Sequence, residues 1–196
     1  MPTTEMPTIH LPTARIVPLE VPFDGAVADL FQQYLPPGLA PLKLFRTLAH
    51  SPRVLQRVFA GNLLDSGSIT LRARELVILR TCARCGCDYE WGVHVALFAQ
   101  HARLSEADLA AARAPAPLRL AENLPECDAL LLDAVDQLYE TSTLSEALWS
   151  ALARHYTAAQ ILEVIALVGY YHLISFTANA ARVEAEDFAP GSHHSK

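Results

Sequence analysis

Helical spacing of apolar residues organises this chain from about residue 25 onward. Ala26 to Tyr34 reads as a short helix stopped by Pro36 and Pro37. Ser51 followed by Pro52 has the form of an N-cap with proline at the first helical position. It opens an amphipathic segment through Phe59 that Gly61 ends. Thr70 is placed to cap Leu71 to Cys82, where Leu76, Val77, Ile78 and Leu79 make an unbroken apolar row. Gly86 predicts a break, and the next helix is expected to run from Cys87 or Asp88 to Arg103. Ser105 caps a further segment with Asp108 three residues on, while Thr143 with Glu146 and Thr157 with Gln160 fit the reciprocal capping box. The last of these opens a long apolar stretch, about Ala158 to Ala181. Sustained period-two alternation is absent from the sequence, so the pattern predicts an all-α fold of seven or eight helices without an internal repeat.

Composition changes this picture at the two ends. Prolines at 2, 7, 12, 18 and 22 remove N–H donors and fix φ, so residues 1–22 are expected to form an extended N-terminal arm. One helical domain is expected over 23–188, with its motif region at 70–103, followed by a disordered tail over 189–196. At 52% apolar residues and a mean hydropathy of +0.20, the chain is richer in apolar surface than an average soluble domain. That surplus fits either burial between subunits or a membrane segment. The stretch ending at Ala181 is long enough to span, but it carries Glu163, Gly169, His172 and Asn179 and has no flanking cluster of Lys or Arg. A core or subunit-interface helix is therefore expected, and no membrane partner. The net charge of -6 leaves no basic stripe for phosphates, which argues against a nucleic-acid partner. The N-terminus has neither the basic start nor the apolar run of a signal peptide, so a cytoplasmic location is expected.

The chemistry-bearing residues gather around the break at Gly86. Cys87, Glu90, Trp91 and His94 share one face of the predicted helix, with Cys87 at its N-terminus. Unpaired N–H groups and the positive end of the helix dipole would there favour a thiolate. Glu90 and His94 form an i, i+4 pair suited to passing a proton. Glu75 lies on the preceding apolar helix, where a carboxylate needs a partner; His94 is one candidate and Arg80 the rival. Cys82 shares the face of Glu75 and is either a small buried hydrophobe or a thiol able to resolve an oxidised Cys87. Cys85 is too close to Cys87 in sequence for an unstrained disulfide, and the placement of Cys127 is not legible. Tyr89 and Trp91 read as core or pocket wall. His101, His155 and His172 carry no functional signal, and His193 with His194 falls in the tail. Cys82, Cys85, Cys87 and His94 could supply four zinc ligands, but their spacing suits no ribbon or finger; no metal and no cofactor are expected.

The run Glu75, eleven residues, Cys87, two residues, Glu90, three residues, His94 resembles the carboxymuconolactone decarboxylase and alkylhydroperoxidase D (AhpD-like) superfamily. Its peroxidase branch carries E-x11-C-x2-C-x3-H, and the flanking text LFRTLAHSP, RELVILR, YEWGVH and LSEADLAA agrees over roughly Pro41 to Arg113. The resemblance implies a helical bundle and a homo-oligomer, with Glu75 and His94 as a proton relay and Cys87 as the first motif cysteine. Glu90 stands where the attacking second cysteine would be, which is like the YEWxxH branch. Three activities are consistent with this pattern. One is a peroxidase in which Cys87 is oxidised by a hydroperoxide. Another is acid–base chemistry on a small carboxylated ring, with Glu90 and His94 moving protons and Arg80 holding the carboxylate. The third is a non-enzymatic oligomer that binds an apolar small molecule.

Overall fold

The computed structural model describes residues 14–116 and 124–189. Among them are nine helices and no strand: α1 (Gly25–Tyr34), α2 (Lys43–Leu48), α3 (Pro52–Gly61), α4 (Leu71–Arg84), α5 (Asp88–Phe98), α6 (Glu106–Arg113), α7 (Glu126–Thr141), α8 (Glu146–Leu152) and α9 (Ala158–Ala181). The all-α expectation holds, with more helices than the seven or eight expected. The sequence reading outlines neither α2 nor α7. α2 is one and a half turns long, and α7 starts after Pro125 with no side-chain cap.

Several caps are as the residue types require. Thr70 accepts from the Ala73 backbone N–H, and the boxes Ser105/Asp108 and Thr157/Gln160 are both closed. Ser51 keeps extended N-cap geometry without a side-chain bond, leaving Pro52 to start α3. The Thr143/Glu146 box does not form. Ser145 takes the N-cap instead, and the Gln137 side chain accepts its backbone N–H.

α5 also stops earlier than the expected Arg103. Regular helix ends at Phe98, and Arg103 turns left-handed at φ 55°. The Leu104 N–H then closes onto the Ala99 carbonyl, while the Arg103 carbonyl accepts from Arg72. Neither Gly nor Asn announces this ending, because a tertiary bond sets it.

α4 is the centre of the fold, with α5, α6, α7 and α9 packed around it. Its residues Ala73 to Cys82 are all buried, charged ones included. α9 meets the apolar criterion for crossing a membrane by length and composition, yet one side packs on α4, α5 and α7 as a core helix. Its Glu163 accepts from the Ser68 backbone N–H and hydroxyl. Residues 14–22 run without helix, as Pro18 and Pro22 dictate. They are tied down by Arg15 N–H to the Ala181 carbonyl and Leu19 N–H to the Arg46 carbonyl. The expected tail begins outside its stated character, since Ala189 is buried; residues 190–196, with His193 and His194, and residues 1–13 of the arm lie outside the described residues.

Candidate functional site

Two helices joined by a tight turn build the site. Gly86, at φ 59°, lets the chain reverse at the end of α4, and the Cys87 N–H closes the turn onto the Cys82 carbonyl at 2.9 Å. This reversal lays α5 beside α4, so that His94 Nδ1 meets Glu75 Oε2 at 2.7 Å. Both side chains are buried. The other Glu75 oxygen accepts from Arg74 Nε at 2.9 Å, and Arg74 is held in turn by the Leu64 carbonyl and by the face of Phe98. A buried carboxylate between a guanidinium and an imidazole is compensated on both oxygens. Because the carboxylate accepts, Nδ1 of a neutral His94 carries the hydrogen and Nε2 presents a lone pair.

That lone pair faces two more groups. Tyr171, on α9, lies with its hydroxyl 3.0 Å from Nε2, and Glu90 Oε2 is 3.7 Å away. Burial raises the Glu90 carboxyl to about 7; the nearby His94 opposes this, and the charge of Glu186 adds to it. Glu90 therefore changes protonation near neutral pH. Burial likewise holds the Tyr171 phenol well above its ordinary value, so it remains a hydrogen-bond donor.

Glu90, His94 and Tyr171 open onto one cavity of about 400 Å³. Its wall is otherwise mainly apolar, with Leu44, Phe59, Val93, Leu97, Phe98 and Ile174 among its residues, and none of its lining residues is Lys or Arg. Size and lining suit a small, mainly uncharged molecule.

The sequence-derived candidates separate into those at this cavity and those behind it. Glu75, Glu90 and His94 come together as expected. Cys87 does occupy the N-terminus of α5, but it is 1% exposed and burial pushes its thiol up to about 11. The Glu90 backbone N–H pulls the other way without winning, so the expected thiolate gives way to a thiol. Cys82 is fully buried and its thiol is raised further by the same cause. All four cysteines are free. The Ser175 hydroxyl sits among Cys82, Cys85 and Cys87 without a hydrogen-bond partner, and it opposes the effect of burial on their thiols without overcoming it. Among the described residues no group of three or more His, Cys, Asp or Glu is disposed to hold a metal.

Arg80 is the clear correction. It neither partners Glu75 nor reaches the cavity; it is fully buried and clamps Asp136 of α7 at 2.7 and 2.6 Å. Five residues of helix turn it away from Glu75 by well over a quarter turn. Tyr89 and Trp91 do not line the cavity either. The Tyr89 hydroxyl donates to Glu186 and accepts the Leu44 N–H, and Trp91 stacks under Arg113. The sequence reading missed Arg74 and Tyr171. A phenol inside an otherwise apolar helix needs a polar partner, and that was the available signal for Tyr171.

Comparison with known proteins bears on the whole arrangement. Residues 52–121 match the model of the carboxymuconolactone decarboxylase family. A search of curated proteins finds no sequence match. Among solved structures, an alkylhydroperoxidase AhpD core, peroxidase-related protein from Ralstonia eutropha JMP134 superposes with a TM-score of 0.71 at 24% identity, covering 88% of this chain and 93% of that one. A peroxidase-related protein from Silicibacter sp. TM1040 gives 0.71 at 16% identity, covering 96% and 99%. The debrominase Bmp8, solved with 2,3,4-tribromopyrrole, gives 0.66 at 17% identity over 89% and 93%. Identities this low speak for the fold alone. The motif region thus resembles the carboxymuconolactone decarboxylase family over residues 52–121, and the helices are arranged as in these AhpD-like neighbours.

Proposed function

We propose that this protein is an acid–base enzyme that moves a proton on a small, neutral, mainly apolar molecule. The supporting observation is that Glu90 and His94 face the cavity, while the thiols lie behind its wall. Glu90 is the base, since a carboxyl that ionises near 7 is half available at neutral pH and has strong proton affinity. His94 Nε2 is its partner in passing the proton on, and Glu75, backed by Arg74, holds the imidazole in one tautomer. The carboxylated ring considered from sequence is set aside, because Arg80 is committed to Asp136 and no Lys or Arg is among the described residues that line the cavity.

Ring opening of 5-nitrobenzisoxazole, a general probe of a carboxylate base in an apolar pocket, tests this reading. The wild type should open it with saturation, the rate rising with pH through about 7 as Glu90 loses its proton. Glu90→Gln should lose roughly 100-fold or more of that rate. A Glu90→Gln variant as fast as wild type would sink the proposal.

A thiol-peroxidase reading keeps one observation in its favour. The Cys87 N–H to Cys82 carbonyl bond brings the two cysteines side by side across the turn. In that reaction the Cys87 thiolate attacks a hydroperoxide, giving a sulfenic acid and an alcohol; the Cys82 thiol then displaces water to form a disulfide. Hydroperoxide consumption would be lost in Cys87→Ser and kept in Glu90→Gln, the reverse of the pattern expected for proton transfer.

A homo-oligomer is also proposed, with α9 at its interface. Leu162, Ala166, Gly169, Leu173 and Phe176 are exposed at spacings of four and three, a continuous seam along the helix. Less than half of the apolar stretch of α9 is buried within the chain, although its mean hydropathy is 1.6. Two seams packed about Gly169 would set large residues against small ones. Light scattering should show an oligomer for the wild type and a smaller species for Phe176→Glu; a monomeric wild type would overturn this.

A further inference from the structure

Three atoms of different chemistry converge at the back of the cavity: the Tyr171 hydroxyl, His94 Nε2 and Glu90 Oε2, with separations from the nitrogen of 3.0 and 3.7 Å. Tyr171 is 2% exposed, and its ring stands edge-on to the imidazole with centroids 5.1 Å apart, so neighbouring rings fix its direction. In the free protein its O–H donates to Nε2, because Nδ1–H is committed to Glu75. Tyr171 also lines the cavity, so rotation about the phenol C–O bond can offer the same hydrogen to a molecule bound there. A phenol donor thus lies close to a carboxylate base, both at the wall of one apolar space.

We propose that the site enolises a small neutral ketone, Tyr171 holding the carbonyl oxygen while Glu90 takes the α-proton. This rests on the reading of Glu90 as a base and adds the substrate class and a second catalytic residue. The α C–H bond breaks and its proton bonds to the Glu90 carboxylate. The electron pair becomes the C=C bond, and the carbonyl becomes an enolate oxygen that accepts the Tyr171 O–H. Reversal returns a proton from Glu90, so the cycle is balanced without any oxidant or reductant. A neutral substrate fits a cavity whose described lining residues include no Lys or Arg. A preorganised donor aimed at the developing oxyanion is the usual means of lowering this barrier.

The test uses 2-tetralone in deuterated water, followed by NMR at its α-carbons, beside 5-nitrobenzisoxazole ring opening with the same proteins. Wild type should speed deuterium incorporation well above Glu90→Gln. Tyr171→Phe should lose about 100-fold or more of that exchange. Its loss of ring opening should be much smaller, because the charge in that reaction spreads into the nitro-substituted ring. Binding of 2-naphthol, a stable mimic of the enol, gives a readout that does not depend on turnover. Wild type should bind it more tightly than 2-tetralone, and Tyr171→Phe should remove the difference. Equal losses in the two reactions, or an unchanged 2-naphthol preference, would overturn the role of Tyr171. Ring opening without any exchange by the wild type would overturn the ketone and leave the base reading standing. Failure of both reactions would overturn the base reading itself.

Discussion

At pH 8 the Glu90→Gln variant is expected to be more stable than the wild type by roughly 3 kcal/mol, even as it loses activity. The sign follows from the direction of the shift. Glu90 ionises at about 7 in the fold, against 4.5 for an ordinary glutamate. Between those values the unfolded chain has released its proton while the folded chain retains it, so the folded state binds more protons and stability falls as pH rises. Above about 7 both states are ionised, and the full cost of a buried carboxylate is carried by the fold. Glutamine keeps the shape and has no charge to desolvate, so it avoids that cost. Urea unfolding at pH 8 and at pH 4 measures both ends. The variant's midpoint should exceed the wild type's at pH 8, and the gap should close at pH 4, where Glu90 is neutral in both states. A gap that persists at pH 4 would mean that shape or packing, rather than charge, explains it. The same property that burdens the fold gives the cavity its base, which is the usual trade between stability and a functional site.

How much of this was legible in the sequence depends on whether a residue's partner lay on a neighbouring, well-capped helix. Glu75 and His94 were, because Thr70, Gly86 and helical spacing fix both helices and bring the two residues together. Glu90 was legible as a proton partner of His94 from the i, i+4 spacing alone. Its shift toward 7 was not, since that depends on burial and on Glu186, ninety-six residues away in the chain. Cys87 shows the opposite case. Its place at a helix N-terminus was read correctly, but the sign of its shift was not, because desolvation outweighs the helix N–H groups once the turn is sealed. Tyr171 was hidden in a helix apolar nearly all round, where periodicity carries no directional information. The end of α5 and the start of α8 likewise involve distant side chains, Arg72 and Gln137, that local pattern does not reveal.

Arg80 was misassigned for a related reason, and its true role leads to the second large effect. Asp136→Ala is expected to destabilise the protein by about 3 to 5 kcal/mol, because it leaves a fully buried guanidinium without its counter-charge. The Ala112 and Ala114 carbonyls would still accept from Arg80, but neutral acceptors do not compensate a buried cation. Arg80→Met should cost less. Its side chain has a similar apolar length, and the Asp136 left behind keeps Arg84 at 3.5 Å as a counter-charge. The double variant Arg80→Met, Asp136→Ala should recover much of the loss, since no uncompensated charge remains. The effect should reach the fold before the site, because Arg80 ties α4 to α7 on one side while Glu75 faces α5 on the other. Below its lowered melting temperature, Asp136→Ala should therefore still open 5-nitrobenzisoxazole with the pH inflection of the wild type. Thermal unfolding of the three variants decides the order. If Arg80→Met were the worst of the three, the arginine would be contributing more by packing and by its carbonyl bonds than by its charge, and the ion pair would not be the strut that fixes α4 in place.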